Sequence, residues 1–118
     1  MDWKEIKEKY PKALELCSGW LHKKRNIFFD NNINEFSTFM SDARRFHIRD
    51  LFDFFDNNDI IISVMYCHHN SIQTNKGYFC VINQTAYTNT RGARRLAKKE
   101  AFEKAFEILN NKLNGTNN

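Results

Sequence analysis

From Ile60 to Asn89 the chain passes three times through β-patterned residues, and none of the connections is long. Residues 60–67, Ile-Ile-Ile-Ser-Val-Met-Tyr-Cys, are β-branched and apolar, the composition of a strand. A polar loop from His68 to Gly77 leads to a second strand over 78–83. A tight connection at Gln84 opens into a short third strand, Thr85 to Asn89. A parallel crossover takes a dozen or more residues, usually with a helix inside it. Shorter connections favour an antiparallel meander. Helical patterns lie on both sides of this block, so the order reads helices, helix, strand, strand, strand, helix. The predicted class is α+β: a three-stranded antiparallel sheet with helices packed on one face, preceded by N-terminal helices.

The first helical pattern covers residues 3–22 with an apolar stripe of Trp3, Ile6, Tyr10, Leu14, Cys17 and Leu21. Pro11 interrupts it and would clash with the carbonyl four residues earlier. Either the helix kinks, or a short helix ends near Lys9 and a second starts with Pro11 in its first turn. Lys23, Lys24 and Arg25 close this segment, where the helix dipole favours cations. Ile27, Phe28 and Phe29 are expected to bury in a connection ending at Asp30-Asn31-Asn32. A further pattern runs through Ile33, Phe36, Phe39 or Met40, and Ala43, with a break near Ser41-Asp42. From 42 to 56, Phe46, Ile48, Leu51, Phe52 and Phe55 come within reach of a core. Asp50, Asp53 and Asp56 line another face, read as solvated helix surface, and Asn57-Asn58-Asp59 ends the helix.

The last helix raises a question of charge. Ala97, Ala101, Ala105, Ile108 and Leu109 share one face at about 100° per residue, with Phe102, Phe106 and Leu113 on its flank. Glu100 and Lys104 are spaced as an i,i+4 pair. Ahead of this stripe, after a turn at Gly92, stand Arg91, Arg94, Arg95, Lys98 and Lys99. A helix N-terminus already carries unpaired N–H groups and the positive end of the macrodipole. Each added cation there costs about 0.3–1 kcal/mol unless an anion is near. Arg94, Arg95 and Lys98 lie on the prolongation of the apolar face. They are expected to overhang the sheet and stand side by side in solvent, where a phosphate could meet them.

With 118 residues and a formal charge of +4, the chain fits one domain and permits a polyanionic partner. We expect a helical extension over 1–41, a core over 42–113 and a disordered tail over 114–118. Three cysteines, Cys17, Cys67 and Cys80, are too few for a disulfide scaffold and suit a reducing, cytoplasmic compartment. Met1-Asp2-Trp3-Lys4-Glu5 is charged at once, so no secretory leader is expected, and no apolar run approaches a membrane span. Asn is used heavily, which reads as coding bias. Cys67, His68, His69 and Cys80 lack the spacing of a structural zinc site. No Gly-rich phosphate loop, G-x-S-x-G elbow or H-E-x-x-H motif is present. Neither a metal, a cofactor nor an enzymatic activity is therefore expected. Tyr66, Tyr78 and Phe79 can be read as core packing or as an aromatic platform for bases.

Residues 44–113 resemble a double-stranded-RNA-binding domain. In that family an α-β-β-β-α order runs through an aromatic-Thr pair and a glycine into a helix patterned K-K-x-A-K-x-x-A-A-x-x-A-L. Here Tyr87-Thr88 precede Gly92. Arg94 and Arg95 match the two basic positions, Ala97 the alanine and Lys98 the third cation, with Ala101, Phe102, Ala105 and Phe106 at the packing positions. The resemblance implies that Arg94, Arg95 and Lys98 reach phosphates across a groove, with Arg91 and Lys99 assisting. It also implies that Asp50 stands where the family carries a Glu that reads 2′-hydroxyls. His68 and His69 lie at the far end of the loop from the family's usual His.

A second resemblance rests on Lys9-Tyr10-Pro11-Lys12-Ala13, on Asp50 to Asp56 and on Ala101 to Leu109. These look like small uncharacterised proteins encoded by bacteriophages and prophages. It implies a mobile-element origin and a place in the host cytoplasm. Two functions follow as expectations. One is a nucleic-acid-binding protein, duplex RNA first and DNA second. The other is a modulator or inhibitor of a host defence protein, with Trp3 and Trp20 or the basic cluster at its interface.

Overall fold

Pro11 opens a helix instead of bending one. The computed structural model describes residues 1–26, 32–41, 47–67, 77–89 and 91–115. Helix α1 covers Trp3–Lys9 and helix α2 covers Pro11–Arg25, with Pro11 in its first turn. At that position the missing N–H is no loss and the fixed φ suits the helix. Asp2 caps α1 by accepting from the Glu5 N–H. Tyr10 supplies α2 with no side-chain cap.

The cap of α2 comes from far along the chain. Asn110 is buried, and its Oδ1 accepts from the N–H groups of Lys12 at 3.0 Å and Ala13 at 3.1 Å. Two N–H donors of the first turn are thus satisfied by one side chain. Asn110→Ala is expected to lower stability by about 2 kcal/mol, because the buried Ala13 N–H loses its acceptor. Asn110→Asp keeps an acceptor at a helix N-terminus and should lose less. Urea unfolding reads both, as a fall in the midpoint at constant slope.

Other asparagines also have backbone roles, which corrects the reading of them as coding bias. Asn26 ends α2 in the left-handed region with φ 56°. Asn32 starts helix α3, Ile33–Met40, by accepting from Asn34 and Glu35. Asn tolerates φ above zero better than most residues, and its short amide competes well for free N–H groups.

The chain divides into two compact units, Met1–Phe54 with Phe106–Asn118, and Phe55–Ala105. In the first, Trp3 is buried and meets Phe36 and Phe106 edge-on, with centroids 5.1 and 5.8 Å away. Such pairs add about 0.5–1.5 kcal/mol beyond their burial. Trp3 is therefore core, not interface. Trp20 lies edge-on to Phe54 at 5.8 Å and carries the Lys24 ammonium over its ring.

Helix α4, His47–Asn57, buries Leu51 and Phe55 as expected. Ile48 is exposed, whereas Phe54 and Asp50 are buried. In the acidic row Asp56 is exposed and Asp53 half-buried, but Asp50 is not solvated surface. Asp50, 1 % exposed, accepts from Arg25 Nε at 3.0 Å and from Arg25 Nη2 at 2.6 Å. Lys24 Nζ lies 3.0 Å from Asp53. A buried carboxylate is tolerable when it is paired in this forked way. The hydrogen bond to Asp50 also holds the Arg25 pKa above its usual value. Burial, with the Asp50 charge nearby, pushes the Cys17 thiol well up, so it stays protonated and packs as a small apolar group.

In the second unit, β1, Ile62–Cys67, pairs antiparallel with β2, Gly77–Ile82, from Ile62↔Ile82 to Cys67↔Gly77. Ile62, Cys80 and Ile82 fill the buried face. The tight connection forms as expected. Asn83 and Gln84 have φ of 53° and 64°, and the Thr85 N–H closes on the Ile82 carbonyl at 3.2 Å. Two left-handed residues in a row suit the right-handed twist of the strands they join.

The stretch read as a strand from Thr85 to Asn89 is shorter: β3 is Ala86–Tyr87, paired with Ile82 and Val81. Beyond it, the Thr88 N–H donates to the Cys80 carbonyl, while the Thr88 hydroxyl accepts from the Cys80 N–H at 2.8 Å. A side chain thus replaces a main-chain rung, and regular pairing stops. The register then slips by one residue, so that Arg91 stands opposite Tyr78 with N–H···O bonds of 2.7 and 2.8 Å. Helix α5, Arg94–Leu113, follows.

Several expectations fall outside the described residues: Ile27, Phe28 and Phe29, the cap at Asp42, Ala43, Phe46, the loop with His68 and His69, and the tail from Thr116. No described helix is long and apolar enough to cross a membrane.

Candidate nucleic-acid interface

The predicted cations gather where α5 begins. Arg94 and Arg95 are its first two residues, and the first turn holds no acid. Gly92 leads into it without entering the left-handed region, and a Cβ there would meet nothing within 4 Å. The turn thus does not require a glycine.

On a 100° wheel, Arg94 and Lys98 share a stripe with Ala97, Ala101 and Ala105. Those alanines are fully buried, and so is Phe102, whose ring stacks on Phe55 at 6.1 Å. Burial stops toward the start of the same stripe. Arg94, Arg95 and Lys99 are exposed and Lys98 is half-buried. Among the described residues, no carboxylate lies within ion-pair distance of Arg94, Arg95 or Lys99. Arg94 and Lys98 nevertheless reach the sheet electrostatically: burial raises the Cys80 thiol pKa, and these two charges oppose the rise.

Arg91 differs from the other cations. Its Nε donates to Glu100 Oε2 at 2.9 Å, and Glu100 Oε1 accepts from the Asn89 N–H at 3.3 Å. Glu100 therefore ties the segment before α5 to the second turn of the helix and sets the direction of the Arg91 side chain. The i,i+4 reading of Glu100 with Lys104 carried no hint of this. A paired guanidinium keeps donors free to bond a second acceptor.

Beside Arg91 stand two aromatic residues. Tyr66 and Tyr78 face each other across β1 and β2 with ring centroids 4.9 Å apart at 59°. Phe79, grouped with them in the sequence, belongs to the opposite face, across from Met65. Asp50, expected from the resemblance to stand in for a Glu that reads 2′-hydroxyls, is occupied by Arg25. No cluster of three or more His, Cys, Asp or Glu side chains able to hold a metal occurs among the described residues. The Cys67 side chain, His68 and His69 lie outside them.

No protein-family model matches the sequence, and no curated protein or solved structure is significantly similar to it.

Proposed function

We propose that this chain is a non-enzymatic nucleic-acid-binding module, taking duplex RNA first and duplex DNA second, on a double-stranded-RNA-binding-domain-like α-β-β-β-α arrangement. One observation carries the reading: Arg94 and Arg95 stand exposed at a helix N-terminus with no carboxylate partner among the described residues. That placement is unfavourable by about 0.3–1 kcal/mol per cation until an anion arrives. In this reading Arg94, Arg95 and Lys98 bind phosphates, and Arg91 and Lys99 assist. Asp50 takes no part, and because phosphate contacts carry no base information, recognition is nearly independent of sequence.

Mobility shifts of RNA and DNA duplexes of about 16 base pairs, the span of one such domain, test it at two salt concentrations. Affinity should fall steeply with salt, by a logarithmic slope of about −0.9 per phosphate neutralised, hence near −3 for three contacts. A protein that retards neither duplex at low salt sinks the proposal.

A second reading, a phage-encoded modulator of a host defence protein acting in the host cytoplasm, draws on a different surface. Met65 is exposed on the face of β1 turned away from Cys80 and Ile82, and Ile61 is exposed just ahead of the strand. An open apolar strand face is a common protein-docking element. Retention of one host protein from nuclease-treated lysate, lost on replacing Met65 by Lys, would favour it.

A further inference from the structure

We infer that the Tyr66–Tyr78 pair is a stacking site for an unpaired nucleotide base, so that the module prefers duplex RNA that ends in a single-stranded overhang. This rests on the nucleic-acid reading above and extends it from backbone charge to the form of the RNA end.

Among the described residues, burial on this face of the sheet falls away toward the Cys67 end of β1. Residues directly opposite in an antiparallel pair point to the same side. On the face that holds Cys80, the rows are Ile62 with Ile82, then Val64 with Cys80, then Tyr66 with Tyr78. Both members of the first row are buried. In the second row Cys80 is buried and Val64 half-buried. In the third, Tyr78 is half-buried and Tyr66 is 51 % exposed. Strands usually close such a gradient with a charged residue, not with two phenols. The one-residue slip beyond Thr88 brings Arg91 into this last row, bonded to Tyr78 through both main-chain groups. The row therefore reads Tyr66, Tyr78, Arg91, at strand spacings of about 4.8 Å.

The helix runs out of cover at the same end. Arg91 joins the two elements through Glu100. Arg94 follows Arg91 by three residues, so its Cα is within about 11 Å of that row. Two exposed-to-half-buried rings thus stand in one row with Arg91, which Glu100 holds, and near Arg94, which has no carboxylate partner among the described residues. That is the combination a single strand requires: π-faces for bases beside cations for the backbone. A base inside a duplex cannot reach the rings, because its faces are already stacked. An overhanging base can, while the adjoining duplex phosphates meet Arg94 and Arg95.

The test uses the full chain and labelled RNA duplexes of about 16 base pairs, blunt or carrying overhangs of about four nucleotides at the 3′ or the 5′ ends. Binding is read by fluorescence anisotropy. We expect at least one overhang to bind about tenfold more tightly than the blunt duplex. Tyr66→Ala should erase that difference and leave blunt affinity unchanged, whereas Tyr66→Phe should keep it. Tyr66 is half in solvent, so its truncation empties no core position, and circular dichroism of the variant confirms the fold. Equal affinity for blunt and overhanging duplexes in the unaltered protein overturns this inference and leaves the duplex reading standing. So does a difference that survives Tyr66→Ala. No binding to any of the RNAs overturns both.

Discussion

Replacing Arg94, Arg95 and Lys98 together by Glu is expected to abolish duplex binding, with a loss of at least about a hundredfold at moderate salt. Three released counterions disappear from the binding equilibrium, and three carboxylates then repel the phosphates that the cations attracted. The Arg94→Glu and Arg95→Glu changes should leave the fold intact, because both arginines are exposed and no ion pair holds them among the described residues, and circular dichroism of the triple variant checks that the half-buried Lys98 position also tolerates Glu. Stability should even move the other way for the Arg94→Glu/Arg95→Glu pair. An acid in the first turn complements the macrodipole that an arginine opposes, a gain of about 1 kcal/mol over the two sites. A higher melting temperature with lost binding would mark these side chains as present for a ligand rather than for the fold. Undiminished duplex affinity in the triple variant would remove the helix start from the site.

The largest loss of stability is expected at Arg25. Arg25→Met strips the fork from Asp50, which is 1 % exposed, and leaves a carboxylate charge without its main partner. Breaking a buried pair from one side typically costs about 3–5 kcal/mol. The lower end applies here, since Lys24 Nζ stays 3.8 Å from Asp50 Oδ1 and the Arg25 side chain is itself part-exposed. Adding Asp50→Leu to Arg25→Met should recover most of the loss, because apolar packing replaces a desolvated charge. Guanidinium unfolding of both variants gives the comparison. A single variant that costs less than about 1 kcal/mol would mean that water reaches Asp50 freely.

These two sites show what was legible along the chain. The exposure of Arg94 and Arg95 could be anticipated, since a cation near the start of a helix is anomalous wherever the rest of the protein lies, but the Arg91–Glu100 pair and the half-burial of Lys98 could not. Nor could the Lys24 and Arg25 charges. At the end of α2 they already had a sufficient local explanation in the dipole, and Asp50 had one as a polar helix position. Each looked complete, so nothing in the pattern called for the other. Glu100 was hidden in the same way behind its spacing to Lys104. Of the α4 residues read as core, Leu51 and Phe55 are buried but Ile48 is exposed, and Phe54, absent from that reading, is buried.

What the sequence alone determined is what short-range geometry controls. The α+β order, the tight connection at Gln84 and the alanine stripe of α5 follow from backbone dihedrals and side-chain period, which at Pro11 left two choices, a kink or a restart. The tertiary structure decided which polar groups meet: Asn110 on the start of α2, 97 residues away from Ala13, Arg25 on Asp50, Glu100 on Arg91, and Arg91 in one row with two tyrosines. Periodicity says which way a residue faces, but not what stands opposite it. Hydrogen bonds and ion pairs act through space within a few ångströms, so partners distant in sequence are chosen only when the chain has closed on itself.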